Sequence, residues 1–389
     1  MEVVIVGGFE RSGHDSMAEA LAAEGLRRGH GIRNWVWRDQ IDGIGDHLIF
    51  NLHRQAGRMG DARIADVMAN EHLVAALLND LVTILERSWI GRAEAILSVH
   101  PWATLALARW LQATPAPLLI DCHSDFTPYP VFAHPRVNAF VGACRPRLLS
   151  AEVSRRLQPL GLPVRRSFNP PVNARRNRTL VVNAGSDAWA VQHVGAVVPF
   201  VAELLKPDEV ILLAPTADAA KAWEAEIDAS PARKVVMGVT DIGPLLCHAT
   251  WFLTKAGGTP LAEGLVAGCT VLAMRTGIPW EDDGLAWLAM RGNVIPVDDA
   301  FPSQWSELLI KQGVVPSSEL RQMLADSVHA IWRHVEAGSP LAPVDDVVGL
   351  AERLIVGDTA LEGDPLPATS RELRRILEGW RNRGNSTGC

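Results

Sequence analysis

The stretch from Leu253 to Gly284, LTKAGGTPLAEGLVAGCTVLAMRTGIPWEDDG, decides how the chain is read. An apolar strand, Trp251 to Thr254, runs into Gly257-Gly258, where missing side chains let other groups come close to the backbone. Thr259 can cap the helix that follows, and Pro260 suits its first turn, where no amide donor is required. The free amides at the start of such a helix attract phosphate oxygens, so this strand, glycine turn and helix suit a diphosphate. Glu263, one turn further in, falls on the ligand side of the helix, where a carboxylate can accept hydrogen bonds from both hydroxyls of a ribose.

Outward from this segment, strand-like runs alternate with amphipathic helical stretches along most of the chain, the pattern of parallel sheets covered by helices on both faces. The first set of strands is expected at Val3–Gly7, Gly31–Trp37, His47–Asn51, Ala95–Val99, Leu118–Cys122 and Ala139–Gly142. The rhythm restarts at Thr179–Ala184, Glu209–Ala214, Lys234–Gly238, Thr250–Thr254, Thr270–Met274 and Asn293–Pro296. Between the two sets lies SFNPPVNARRNR, residues 167–178, which has two prolines, three asparagines and no periodicity, and so reads as a linker. The fold class is therefore α/β, with two doubly wound Rossmann-like domains facing each other across a cleft. The expected divisions are a first domain over 1–170, a second over 171–357, and a tail over 358–389 with a helix near Ser370–Arg381. The helical segments Pro302–Gln312, Ser317–Glu336 and Val344–Val356 are expected to complete the second domain. A chain of 389 residues, 48% hydrophobic, can bury two such cores.

Composition narrows the partners. The five cysteines, Cys122, Cys144, Cys247, Cys269 and Cys389, have no paired spacing, which argues against a disulfide framework or a zinc site and fits a reducing cytoplasm. No charge-free apolar run reaches the roughly 18 residues of a membrane span. The net charge of −7 is unevenly spread: residues 1–178 carry 21 arginines against 17 acids, and the remainder carries 16 basic against 27 acidic residues. Nine of those arginines lie between Arg145 and Arg178, a patch that can attract anionic lipid at the inner face of a membrane or a phosphorylated acceptor. Nucleic acid fits poorly, because the rest of the chain is acidic and no recognition motif accompanies the patch.

Four segments in order carry a resemblance to a known family. They are GGFERSGHDSMAEAL at 7–21, ILSVHPWATLALARWL at 96–111, DCHSDFTPYPVFAHPRVNAFV at 121–141 leading to GLPVRRSF at 161–168, and GVTDIGPLLCHATWFLTKAGGTPLAEGLVAG at 238–268 with GIPWEDD at 277–283. Together they resemble the GT-B glycosyltransferases that include monogalactosyldiacylglycerol synthases, processive diacylglycerol glucosyltransferases and, more distantly, the lipid II glycosyltransferase, the group called glycosyltransferase family 28. What the resemblance implies agrees with the chemistry of the residues. His14, at a helix N-terminus whose dipole favours the neutral imidazole, can accept a proton from an acceptor hydroxyl. Asp125, after the strand Leu118–Cys122, can orient His14 or act as the base itself, and both readings stay open. His100, His123 and His134 are read as structural.

In the second domain, Gly185-Ser186-Asp187 is the turn the family uses for the pyrophosphate. The family binds the base through the stretch that here runs Gly238 to Ile242, so Val239 and Ile242 would contact it. Gly257, Gly258, Thr259 and Glu263 would hold phosphates and ribose, and the acidic loop Glu281-Asp282-Asp283 would touch the hydroxyls of the donor sugar. No Asp-x-Asp occurs in the chain, so no metal and no cofactor is expected. A nucleotide diphosphate sugar is the expected co-substrate.

Some positions depart from the family pattern. Glu10 and Arg11 stand where glycines are usual, Trp280 where a glycine is usual, and Leu285 where an asparagine is common. Trp35, Trp37, Trp89, Trp102 and Trp110 can line an acceptor groove or touch a bilayer, with core packing of at least three of them expected. The implied activity is an inverting, metal-independent hexosyl- or N-acetylhexosaminyltransferase, using UDP-sugars on a lipid or on a specialised metabolite such as an antibiotic. Two alternatives keep the fold: a nucleotide-sugar 2-epimerase, and a catalytically inactive nucleotide-sugar-binding partner.

Overall fold

A computed structural model describes residues 1–8, 13–40, 71–112, 117–126, 134–143, 156–185, 188–214, 233–237, 241–297, 314 and 316–338. Its elements run β1 (Glu2–Gly7), α1 (Gly13–Arg27), β2 (Gly31–Val36), α2 (Trp37–Gln40), α3 (Glu71–Glu86), β3 (Ala95–Ser98), α4 (Pro101–Trp110), β4 (Leu118–Cys122), β5 (Ala139–Val141) and β6 (Leu157–Gln158). The second series is β7 (Asn177–Asn183), α5 (Ala188–Leu205), β8 (Glu209–Ala214), β9 (Arg233–Met237), α6 (Gly243–His248), β10 (Ala249–Lys255), α7 (Gly258–Ala267), β11 (Thr270–Met274), α8 (Pro279–Met290), β12 (Val294–Val297) and α9 (Ser318–Ala337). Among the described residues they form two parallel six-stranded sheets, ordered β2-β1-β3-β4-β5-β6 and β12-β11-β10-β7-β8-β9.

The strands are apolar on both faces because helices cover both. In β1, Val3 and Ile5 join the core under α1, while Val4 and Val6 join the opposite core under α3 and α4. In β7, Leu180 and Val182 face α5, and Val181 faces α7. Side chains alternate across a strand, so one run of valine, leucine and isoleucine feeds two cores at once.

Helix α9 joins the two sheets. Ser317 caps it by accepting the Leu320 amide at 3.2 Å, and Gly338, in the left-handed region, ends it. Leu320, Met323 and Leu324 pack in the core of the second sheet, and one turn later Val328, Ile331, Trp332 and Val335 pack in the core of the first. Ser327, between these groups, donates to the Leu162 carbonyl at 2.7 Å. Trp332 is fully buried against α1, donates its indole N–H to the Leu21 carbonyl at 2.9 Å, and lies so close to Gly25 that a methyl group there would stand 2.3 Å from the indole. Trp332→Ala is expected to destabilise the protein by about 3–5 kcal/mol, read from chemical unfolding, since it removes a large buried side chain together with its hydrogen bond to Leu21. A loss under about 1 kcal/mol would show that α9 does not hold the first sheet.

Two expectations change on the map of elements. β6 was not legible, since two residues carry no alternation. The stretch read as a linker is anchored at both ends: Phe168 is fully buried in the second core, and Asn177-Arg178 already belong to β7. The segments His47–Asn51, Pro302–Gln312, Val344–Val356 and Ser370–Arg381 lie outside the described residues.

Candidate active site

Each sheet reverses its strand order once, between β1 and β3 in the first and between β10 and β7 in the second. Chains leave such a switch point in opposite directions, which opens a crevice at the carboxyl ends of the strands. The candidate site is built at these two crevices.

At the first, β1 ends in Gly7-Gly8 and α1 begins at Gly13, which places His14 in the first turn of the helix. The strand β3 ends beside it and delivers His100, whose ring lies 4.5 Å from that of His14 at a tilt of 47°. Gly8 leaves room for the pair: a methyl group would stand 3.2 Å from His14 Cβ and 3.4 Å from His100 Cδ2. Next to this pair Asp121 is buried at the end of β4, where it accepts from Thr104 Oγ1 at 2.6 Å and pairs with His123 Nδ1 at 3.3 Å. His134 Nδ1 accepts the Arg136 amide at 3.1 Å in a surface turn.

At the second crevice, β7 ends in Asn183, whose side chain accepts the Gly185 amide at 2.9 Å, and Gly185 takes a left-handed φ of 73°. Lys255 closes β10. Methyl groups at Gly185 and Gly257 would stand 3.6 and 3.5 Å from its Cε, and its ammonium lies 3.8 Å from Glu281 Oε1. A cation thus lies between the two glycine turns that were expected to receive a diphosphate. Sequence reading passed over Lys255, although a lysine ending a strand just before Gly257-Gly258 was visible.

The two crevices meet through small residues. A methyl group at Gly13 would stand 2.7 Å from Thr259, and one at Gly258 would stand 2.2 Å from the Ser124 carbonyl and 2.7 Å from Asp125 Cα. The N-termini of α1 and α7 are therefore in contact across the lobes. The Gly258 amide donates to Asp125 Oδ1 at 3.3 Å, and Ser16 Oγ donates to Glu263 Oε1 at 2.6 Å. Arg165 reaches Glu19 at 3.2 Å, Asp241 at 3.6 Å and Glu263 at 3.9 Å.

The residues singled out from the sequence fall as follows. The His14 ring stands against that of His100, and the Asp125 carboxylate accepts from the Gly258 amide of the second lobe. His100, read as structural, is a neighbour of the candidate base. Gly257 is the residue that precedes α7, and Thr259 does not cap it; Thr259 sits inside the helix, buried against Gly13, because the glycine before it already takes the extended conformation of a cap. Ile242 precedes α6 and its side chain is buried in the second core. Glu281 and Asp282 lie in the first turn of α8 and not in a loop, since Pro279 starts a helix there and the dipole favours acids at that end. Asp282 accepts the Thr276 amide at 3.0 Å and pairs with Arg275 at 2.9 Å, while Glu281 faces Lys255. Ser186 and Val239 lie outside the described residues.

Glu263 is buried at the boundary between the lobes, and burial pushes its carboxyl up to about 7 against the opposing pull of Ser16 and Arg165. Between its ordinary value of 4.5 and about 7 the folded protein keeps a proton that the unfolded chain has released. Stability is therefore expected to fall as pH rises through that window, by on the order of 3 kcal/mol through this group. Urea unfolding of the native protein and of Glu263→Gln at pH 5 and pH 8 checks this: the variant should lose the pH-dependent part, and parallel curves would refute it.

Two doubly wound parallel sheets with their switch points opposed define the GT-B fold, and this chain has it. No protein-family model and no curated protein matches the sequence. Among solved structures, MurG from Acinetobacter baumannii aligns with a TM-score of 0.54 at 10% identity, over 87% of this chain and 100% of that one. The calicheamicin glycosyltransferase CalG4 aligns with a TM-score of 0.51 at 14% identity, over 91% and 99% of the two chains. Arabidopsis thaliana UGT89C1 complexed with quercetin aligns with a TM-score of 0.50 at 13% identity, over 91% and 99%. Likeness at these identities is a likeness of fold. Among the described residues no helix is long and apolar enough to cross a membrane.

Proposed function

We propose that this protein is a glycosyltransferase that moves a hexosyl or N-acetylhexosaminyl group from a nucleotide diphosphate sugar, a uridine one, to a hydroxyl of a lipid or specialised metabolite. The observation that carries the reading is the convergence of the two switch points: Lys255 stands between the turns at Gly185 and Gly257, and His14 stands one residue from the contact between Gly13 and Thr259. His14 takes the proton of the acceptor hydroxyl. The acceptor oxygen bonds to the anomeric carbon as the bond from that carbon to the diphosphate oxygen breaks. The charge left on the diphosphate is met by Lys255 and by amides at the two turns, fixed groups that need no rearrangement as the charge develops. Attack opposite the leaving group inverts the anomeric carbon, and the lysine and amides do what a divalent ion would otherwise do.

Asp125 now holds the Gly258 amide that a phosphate oxygen would need, so donor binding exchanges a carboxylate for a phosphate at that helix end. Glu263 can accept from ribose hydroxyls best when ionised, so nucleotide affinity should rise as pH passes about 7.

The test is a thermal-shift screen of UDP-, GDP-, dTDP- and ADP-sugars, followed by mass spectrometry with candidate acceptors. A UDP-sugar is expected to stabilise the protein most and to be consumed only when acceptor is present, with inverted configuration in the product. Conversion of the sugar without acceptor would establish the epimerase instead, binding without any turnover would establish a binder, and retention of configuration would refute the mechanism.

A further inference from the structure

We infer that Trp280 is a positioning residue that locks the donor-sugar side of the second lobe onto the first; this rests on the transferase reading above. Helix α8 belongs to the second lobe, where Leu285 and Leu288 pack in one core and Ala289 in the other. Trp280, in its first turn, does not. Trp280 is 7% exposed and lies in the core of the first lobe, in the cluster that also holds Trp35, Trp37 and Trp102, with Ile278 packed against that cluster. This twelve-residue helix thus joins the two lobes on the donor side, as α9 does elsewhere.

The chemistry of its neighbours gives this bridge a use. Glu281, the next residue, lies 3.8 Å from Lys255 and 3.6 Å from where a methyl group on Gly257 would be. Asp282 ties the same turn to Arg275 and to the Thr276 amide. Seating Trp280 in the first lobe therefore sets where Glu281 stands relative to the diphosphate cradle, and it does so from the lobe that carries His14. Trp37 directly follows β2, and Trp102 follows His100 at the start of α4, so the cluster reaches the carboxyl edge of the first sheet on which the His14–His100 pair stands. The indole is buried next to Glu281, so truncating it would open a space there that water can enter.

The test compares Trp280→Ala, Trp280→Leu and Trp280→Phe with the native protein by two readouts. The first is small-angle scattering of the ligand-free protein, which needs no donor. Trp280→Ala should show a larger radius of gyration at unchanged far-UV circular dichroism, and Trp280→Phe should not. The second is the partition of donor between transfer and hydrolysis. For Trp280→Ala, kcat for transfer should fall ~10-fold or more and the ratio of hydrolysis to transfer should rise by a similar factor, with Trp280→Phe within ~3-fold of native. Trp280→Leu, which keeps the seat apolar, keeps the question open to measurement if the alanine variant does not fold, and it should fall between the two. An unchanged radius together with an unchanged partition in the smaller variants, or a phenylalanine variant as impaired as they are, would overturn the assignment. Should the native protein turn over no nucleotide sugar, the transferase reading fails, and the scattering result still decides whether Trp280 holds the lobes together.

Discussion

His14→Ala is expected to lower kcat for transfer by about 10²–10⁴-fold while leaving nucleotide affinity near native. The imidazole sits at the switch point of the first sheet, half-buried in the first turn of α1, with its ring against that of His100, also of the first lobe. Its removal therefore costs the proton acceptor and leaves the donor cradle of Lys255, Gly185 and Gly257 in place. Asp125→Asn is the informative partner. Its carboxylate accepts the Gly258 amide and the Ser124 hydroxyl, at 3.3 and 3.0 Å, so its loss acts on the contact between lobes. A loss of about 10-fold, with tighter nucleotide binding as a competing carboxylate is removed, is expected. If instead Asp125→Asn abolishes transfer and His14→Ala retains it, the aspartate is the base. Steady-state kinetics with a saturating donor, together with calorimetric titration of UDP, decide between these outcomes.

The second large effect is expected from a single methyl group. Gly258→Ala places Cβ 2.2 Å from the Ser124 carbonyl and 2.7 Å from Asp125 Cα, both backbone atoms that no rotamer change can move. The lobes must then separate by a fraction of an ångström to an ångström, and a displacement of that size at the reacting groups costs about 10²-fold in kcat/KM. Overpacking of this kind also lowers stability by about 1–3 kcal/mol. Gly257→Ala separates the two effects, because its methyl group would meet Lys255 Cε, Pro260 Cγ and Glu281 Oε1 at 3.5–3.6 Å, an ordinary contact, so stability should stay native while donor affinity falls. Native kcat/KM for Gly258→Ala would mean that the closed seam is not the state in which chemistry occurs.

Much of the architecture was legible because it depends on short stretches of chain. Val3 to Gly7 and Thr179 to Ala184 carry apolar runs that feed both faces and lead into glycine turns, and the strands β1 and β7 lie there with helices on either side. The turn at Gly257-Gly258 and the helix after it were readable for the same reason. Thr259 was misassigned because a capping threonine and a buried threonine look alike in sequence, and only the approach of Gly13 from the other lobe distinguishes them. Glu281 and Asp282 were placed in a loop because acids without periodicity read as solvated. Pro279 and the dipole made them the start of a helix. Lys255 and Trp280 were single residues whose neighbours come from elsewhere in the chain, Gly185 and Glu281 for the first and the first-lobe core for the second.

Local stereochemistry in the sequence thus determined the alternation of strands and helices, the glycine turns at strand ends and the place of His14 at a helix start. Each follows from interactions among residues a few positions apart. The tertiary structure alone decided that α9 feeds both cores, that Arg165 gathers Glu19, Asp241 and Glu263, that Glu263 is buried enough to hold a proton near neutral pH, and that Trp280 is seated in the opposite lobe. These depend on burial and on distances between residues far apart in the chain, quantities that exist only once the two sheets have come together.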